Sequence, residues 1–322
     1  CALLLLCFIK IRSLLILYKS IFQLNMKIYD CFQFFDEEML LNLRLNILDK
    51  YINKFVITEA NYTHNGKPKK LNFDINKFSK FKEKIIYIVV DNPPPNLSKI
   101  YNNDTKQKKQ SKKISNAYKR HIYQLDKVRD GIINADPNDI IIVGDLDEIP
   151  NLEEINFEKI SNKLIFFKQK MFYYKLNLFY KKMPWYGSKA CKKKYFKSPK
   201  WIQWIKNKKY PIWRIDILFS QKKYNDIYFV ENGGWHFTNM RKPEDLEKKM
   251  LSFVHYPDFE DSGLKLNDLK RIMNEKKVMY DHSLDKKDYR WSSEEKLITA
   301  KLEELPKYIH SNLENYKQWL DI

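Results

Sequence analysis

The chain has 322 residues, with 59 Lys plus Arg against 40 Asp plus Glu and a net charge of +19. Its 44% hydrophobic and 15% aromatic content is ample for a buried core, which excludes a chain disordered throughout. It holds only 7 glycines, and their placement excludes the glycine-rich dinucleotide and phosphate loops and the G-x-S-x-G nucleophile elbow.

Residues 1–25 are apolar, hold no acid and carry Lys10, Arg12 and Lys19. The greasy runs 2–9 and 13–18 are each too short to span a bilayer. The segment reads as translated upstream sequence with Met26 as the true start; a weak signal anchor or an interfacial basic helix is the alternative. The four cysteines, Cys1, Cys7, Cys31 and Cys191, form no C-x-x-C pair and no disulfide framework, which points to a reducing compartment.

Residues 26–34 alternate and read as a strand. Residues 36–50 carry Met39, Leu40, Leu43, Ile47 and Leu48 at helical spacing, with Asp36 as N-cap. Residues 54–59 form a short buried strand that runs into a polar loop at 60–70, and 84–90 form another, ended by Pro93–Pro95. The basic stretch 102–113 reads as an exposed loop, 116–133 as an amphipathic helix, and 139–143 as an apolar strand running into Gly144-Asp-Leu-Asp-Glu-Ile-Pro. A further strand is expected at 227–230, and helices at 245–254, 266–277 and 293–302. The alternation predicts an α/β layered domain with a mostly parallel central sheet, in which ligands gather at the carboxyl ends of the strands. The expected organisation is a core at 26–242 and a helical extension at 243–322 packed on it.

Asp145, Asp147 and Glu148 at the end of that strand are the sharpest signal. Asp145 and Asp147 are two apart and point the same way if the strand continues. Close carboxylates repel unless a cation lies between them, and Mg²⁺ or Mn²⁺ takes such oxygens together with substrate phosphates. His236, just after Gly233-Gly234-Trp235, is a candidate third metal ligand through its imidazole, or a packed histidine beside a core tryptophan. In the loop after the second strand, Glu59, Asn61, Thr63 and His64 offer donors and acceptors for a base and ribose, and Arg120 a contact for phosphate. Trp185 and Trp235 are candidate aromatic platforms for a sugar face.

These segments together resemble glycosyltransferase family 17. The resemblance rests on residues 26–44, ending at Arg44; on FVITEANYTHNGKPKKLNF at 55–73; on DIIIVGDLDEIP at 139–150; and on GWHF at 234–237. It covers most of residues 26–250 and leaves residues 1–25 out. It implies a GT-A-like nucleotide-sugar fold, a UDP-sugar donor with UDP-GlcNAc favoured, and inversion at the anomeric carbon. It also implies that Asp145 and Asp147 are metal-binding acids with Glu148 in the same motif. The chain departs from the family pattern at Gly144, after His236 and across 175–209, so the acceptor is not carried over.

The expected chemistry is a single in-line displacement with Mn²⁺ or Mg²⁺ at the diphosphate and a carboxylate as general base. Asp258 and Glu260 are candidates for the base, with Glu231 and Asp216 as alternatives. The expected partners are a nucleotide sugar and a glycan, glycoprotein or glycolipid acceptor, with peripheral contact to anionic membrane and no specific nucleic acid. The expected location is the cytoplasm or the cytoplasmic face of a membrane for a microbial chain, or a lumen if residues 1–25 are a real anchor. The rival readings are a basic protein binding nucleic acid or anionic glycan, built on 192–194 and 206–209, and a metal phosphohydrolase using the same acids.

Overall fold

The computed structural model describes residues 26–211, 213–284, 290–291 and 293–322. The reading of residues 1–25 falls outside them. The chain starts with strand β1 (Ile28–Gln33), helix α1 (Glu38–Leu48) and strand β2 (Lys54–Ala60). A 3-10 segment at Ile75–Lys84 leads into β3 (Ile85–Val90), then come helix α2 (Lys106–Asp126) and β4 (Ile140–Val143).

β1, β2, β3 and β4 pair in parallel in the order β3-β2-β1-β4. β1 therefore has its successor on one side and β4 on the other, and the carboxyl ends at this reversal of strand order form the customary ligand crevice. The sheet continues through β9 (Lys189–Lys192), antiparallel to both of its neighbours, to β6 (Leu164–Phe167) and β10 (Ile227–Val230), giving the order β10-β6-β9-β4-β1-β2-β3. The sheet is buried on both faces, which is why its strands read as near-continuous apolar runs. Phe32, Phe55, Ile57, Ile140 and Ile142 pack toward α1, while Tyr29, Cys31, Val56, Ile141 and Val143 pack toward Leu125, Val128 and Ile202. Cys31 and Cys191 are buried free thiols.

A second sheet stands beside the first. It holds β5 (Glu148–Pro150), β7 (Gln169–Tyr173), β8 (Leu178–Trp185), β11 (Gly234–Thr238) and β12 (Ile298–Thr299), in the order β12-β8-β7-β11-β5. All its pairings but β11 with β7 are antiparallel. The expectation of a mostly parallel central sheet thus describes the larger sheet and omits this one.

Helices α4 (Pro243–Met250), α5 (Tyr256–Ser262) and α6 (Leu266–Asn274) bury Leu246, Met250, Phe259, Leu269 and Ile272 against Met171, Tyr173, Leu178 and Tyr180. Among the described residues, no helix is long and apolar enough to cross a membrane.

Three local expectations need correction. The exposed loop expected at 102–113 is helix from Lys106 onward: Thr105 caps α2, accepting from the Lys108 N–H at 3.3 Å, and Asp104 pairs with Lys108 and Lys112. Lysine and glutamine are good helix formers, and this turn lacks apolar periodicity only because it faces water. The helix expected at 293–302 is extended instead, because Ile298–Thr299 adds an edge strand to β8. Asp36 does not cap α1; its carboxylate pairs with Arg241.

Candidate active site

The acids sit on a tight turn rather than on a continuing strand. β4 ends at Val143, and Glu148 N–H closes a turn onto the Asp145 carbonyl at 3.0 Å before β5 begins. This turn is held from below by Arg44, on the buried side of α1. Its Nη1 donates to the carbonyls of Asp145 (2.8 Å), Leu146 (3.1 Å) and Glu148 (2.8 Å). Its Nε and Nη2 form a bidentate pair with Asp30 of β1 at 2.8 and 2.6 Å, with both side chains fully buried. A buried guanidinium needs such a partner, since an unpaired buried charge is strongly destabilising.

Glu148 is a second strut. One of its oxygens accepts from the Asp145 N–H at 2.7 Å and the other from the Trp185 indole N–H at 2.6 Å, and its backbone carbonyl accepts from the Ser188 hydroxyl at 2.6 Å. Gly187 is required beside it, because a Cβ there would lie 2.1 Å from the Glu148 carboxyl carbon. Glu148 is buried and outside the cavity lining, so it positions the turn and Trp185 rather than meeting a ligand.

The turn faces a cavity of about 610 Å³ at the carboxyl ends of β1, β2 and β4. Asp145, Asp147, His236, Trp185 and His64 all line it. Asp147 Oδ1 lies 3.6 Å from His236 Nε2, and the His236 ring is tilted 30° against Trp185 at 4.8 Å. His236 Nδ1 is buried without a hydrogen-bond partner. Burial pushes the Asp147 carboxyl up, but His236 and Lys249 outweigh it and hold it down at about 2. Asp145 moves the other way: burial, then the charges of Glu148 and Asp147, push it well above the usual carboxylate range. Two close acids with opposite shifts, one of them raised by its neighbours, are a donor set that a divalent cation would suit. Among the described residues, no group of three or more His, Cys, Asp or Glu side chains forms a complete cage, so substrate oxygens or water would have to supply the remaining ligands.

The other expected residues are scattered. Glu59 is fully buried, pairs with Lys69 and accepts from Asn72 N–H, Phe73 N–H and the Tyr87 hydroxyl, so it scaffolds the loop. The Thr63 hydroxyl donates to Asn65 at 2.5 Å, and the Asn61 backbone pairs with Val90 and Lys69. Arg120 donates to the His64 carbonyl at 3.1 Å, and its guanidinium packs under Gly66, where a Cβ would lie 2.6 Å from Nη2. All four lie outside the lining; their loop instead presents His64 and Tyr62, and Tyr62 was missed.

Trp235 also faces away. Its indole N–H donates to the Glu304 carbonyl at 2.7 Å, because alternation along β11 turns it opposite to His236. Asp258 and Glu260 do not reach the cavity: Asp258 lies 3.1 Å from His255 Nδ1, and Glu260 is exposed beside Lys113. The alternatives Glu231 and Asp216 are tied to Lys168 and to Arg214 and Lys223.

The largest omission from the sequence reading is a cluster of histidines. His64, His121, His236, His255 and His282 line this one cavity, five of the six in the chain. Burial, reinforced by neighbouring positive groups, pushes His64 down to about 3, and His121 and His282 to about 4. The rings of His64 and His121 meet edge-on at 5.3 Å, and His121 Nδ1 is 3.3 Å from the Gln33 side-chain nitrogen. No spacing rule links these positions; only the tertiary fold joins them.

The family model of glycosyltransferase family 17 matches residues 17–320, which takes in part of the segment that the motif resemblance left out. Over 125 residues the chain is 29% identical to the human β-1,4-mannosyl-glycoprotein 4-β-N-acetylglucosaminyltransferase, a match covering 38% of this chain and 21% of that protein. The rat protein of the same name gives the same figures, and the mouse one is 28% identical over the same length. The chain thus spans about a fifth of the length of the curated relatives it matches. No solved structure matches it. The family match runs over nearly the whole chain, acid turn and cavity included, and the chain belongs to glycosyltransferase family 17.

Proposed function

We propose that the chain transfers N-acetylglucosamine from UDP-GlcNAc to a glycan hydroxyl, with inversion, in a GT-A-like fold. The observation that carries this reading is the convergence of Asp145, Asp147, His236 and Trp185 on one cavity at the strand-order reversal. Asp147 with His236, and Asp145 beside them, would hold Mn²⁺ or Mg²⁺; that ion supplies charge neutralisation for the departing diphosphate. The parallel β3-β2-β1-β4 half-sheet supports the GT-A-like assignment.

The chain's own groups cover the remaining needs. Arg44 and Glu148 hold the acid turn rigid, so its carboxylates need little reorganisation when donor binds. Lys249 and Arg290 line the cavity as further cations for phosphate oxygens. Trp185, fixed by its bond to Glu148, offers a face for a sugar ring. The acceptor hydroxyl needs a base at the cavity wall. His255 lines it and is held by Asp258, which makes Asp258 a positioning residue in this reading.

A donor screen tests this. Thermal shift and UDP release are measured for a panel of UDP-sugars with and without Mn²⁺. UDP-GlcNAc with Mn²⁺ is expected to raise the melting temperature most and to release UDP. No response to any UDP-sugar overturns the reading.

A further inference from the structure

Among the described residues, most exposed large apolar side chains are scattered along the chain. Six are more than two-thirds exposed among the described residues, and four of these lie within seven positions: Trp213 (81%), Ile215 (71%), Leu218 (81%) and Phe219 (85%). Single exposed apolar residues need no explanation, but a contiguous group of this kind does.

The segment that carries them is an excursion between two elements, with residue 212 outside the described residues. It leaves after helix α3 (Pro199–Trp204) and returns before β10, and its base is closed by the Lys206 N–H bonding the Lys222 carbonyl at 2.8 Å. Tyr210 is buried and holds one limb, with the Arg214 guanidinium 5.5 Å from its ring. Successive turns, Ile217 N–H to Arg214 O at 3.2 Å and Leu218 N–H to Ile215 O at 3.0 Å, keep the tip compact. Trp213, Ile215, Leu218 and Phe219 thus stand exposed at the tip.

Its surroundings are strongly basic. Between residues 200 and 223 stand Lys200, Lys206, Lys208, Lys209, Arg214, Lys222 and Lys223, against the single acid Asp216. Asp216 is itself neutralised by Arg214 at 2.8 Å and Lys223 at 2.6 Å. Lys206, Lys208, Lys209 and Lys222 are exposed.

We propose that this tip is a membrane-docking element that inserts Trp213, Ile215, Leu218 and Phe219 into the interface of a bilayer rich in anionic lipid. Tryptophan, phenylalanine and aliphatic side chains beside lysines are the composition that lies at the headgroup boundary. The lysines select negatively charged headgroups, and each adds attraction that salt screens. Exposed lysines on both sides of the apolar tip in sequence complement an anionic lipid surface. This inference uses no residue of the acid cavity, so it stands or falls apart from the proposed transferase activity.

The test is vesicle flotation of the full chain with phosphatidylcholine vesicles, with and without phosphatidylglycerol. Wild type is expected to float with the anionic vesicles, to be released by high salt, and to stay behind with neutral ones. The variant Trp213→Ser/Leu218→Ser/Phe219→Ser should lose roughly tenfold or more in partitioning, since the buried apolar area sets the affinity. Lys208→Gln/Lys222→Gln should weaken binding and flatten its salt dependence. The single variant Phe219→Glu provides an independent check if the triple variant melts differently from wild type. Vesicle binding by both the triple variant and Phe219→Glu at the wild-type level overturns the proposal, since another segment then carries the contact. Loss of concentration-dependent self-association or of oligonucleotide binding in the triple variant, with vesicle binding unchanged, overturns it equally.

Discussion

Arg44 and Asp30 lock together inside the protein, with Nε to Oδ2 at 2.8 Å and Nη2 to Oδ1 at 2.6 Å and neither side chain exposed. The third guanidinium nitrogen holds three carbonyls of the acid turn, so one buried ion pair joins α1, β1 and the site. Arg44→Met would leave the Asp30 carboxylate buried and unpaired, at a cost of about 3–5 kcal/mol. Urea denaturation should show this loss. Arg44→Lys should not rescue it, because an ammonium lacks the planar fork that meets carboxylate and carbonyls together. A melting curve for Arg44→Met that overlays wild type would remove this pair from the account.

Gly187 meets Glu148 more closely than any side chain could. A Cβ at 187 falls 2.1 Å from the Glu148 carboxyl carbon and 2.3 Å from Oε1, the oxygen that receives the Trp185 indole. Gly187→Ala should therefore push Glu148 aside, cost ~1–3 kcal/mol of overpacking, and release Trp185. Combining it with Glu148→Ala should cost far less than the sum of the two single changes, because each removes the other's clash or strut. Additive losses in a double-mutant cycle would show that the two residues are not coupled.

The sequence made the parallel strands legible because β1, β2, β3 and β4 are two-sided and apolar. It also marked Asp145 and Asp147, because acids are the minority class in this chain and cluster after Val143. Arg44 carried a signal that was passed over. It is spaced four residues from both Leu40 and Leu48, so it falls on the buried stripe of α1 and demands an acid within the core. The second sheet was not legible, since its five short strands come from distant parts of the chain and alternate with turns. Polar residues of the loop after β2 misled for a related reason. Glu59 and Thr63 look like ligand contacts, yet they satisfy the loop's own backbone, as buried polar groups must.

The buried histidines make stability depend on pH in a defined direction. His64 is held down to about 3 and His121 to about 4, against 6.5 for a free imidazole. Depressed values mean that below pH 6.5 the unfolded chain binds protons the folded one refuses. The stabilisation is therefore complete above about 6.5 and is lost as pH falls toward 4 and 3, by up to ~1.4 kcal/mol per pH unit for each histidine. Urea midpoints between pH 7.5 and 4.5 should fall accordingly. His121→Gln, which keeps a polar side chain but cannot titrate, should flatten the slope. An unchanged slope would place the His121 imidazole in water.

The two aspartates should separate folding from turnover. Arg44 and Glu148 hold the backbone turn, while the Asp147 carboxylate faces His236. Asp145→Ala should therefore leave the melting temperature near wild type or above it, since burial and its acidic neighbours disfavour that charge, whereas Asp147→Ala should lower it modestly, since His236 and Lys249 stabilise that anion. UDP release should fall roughly a hundredfold, equivalent to ~2.7 kcal/mol of barrier. Full activity in either variant with added Mn²⁺ would dismiss the acid turn as the donor site.

The base assignment can be tested by comparing two side chains that sit 3.1 Å apart, His255 at the cavity wall and Asp258 behind it. If His255 takes the acceptor proton, His255→Gln should lower kcat by roughly a hundredfold while leaving the KM for donor unchanged. Asp258→Asn should lower kcat less than His255→Gln, because the carboxylate only orients the imidazole that takes the proton. Reversed severity, with Asp258→Asn the more damaging of the two, would return the base to the carboxylate itself.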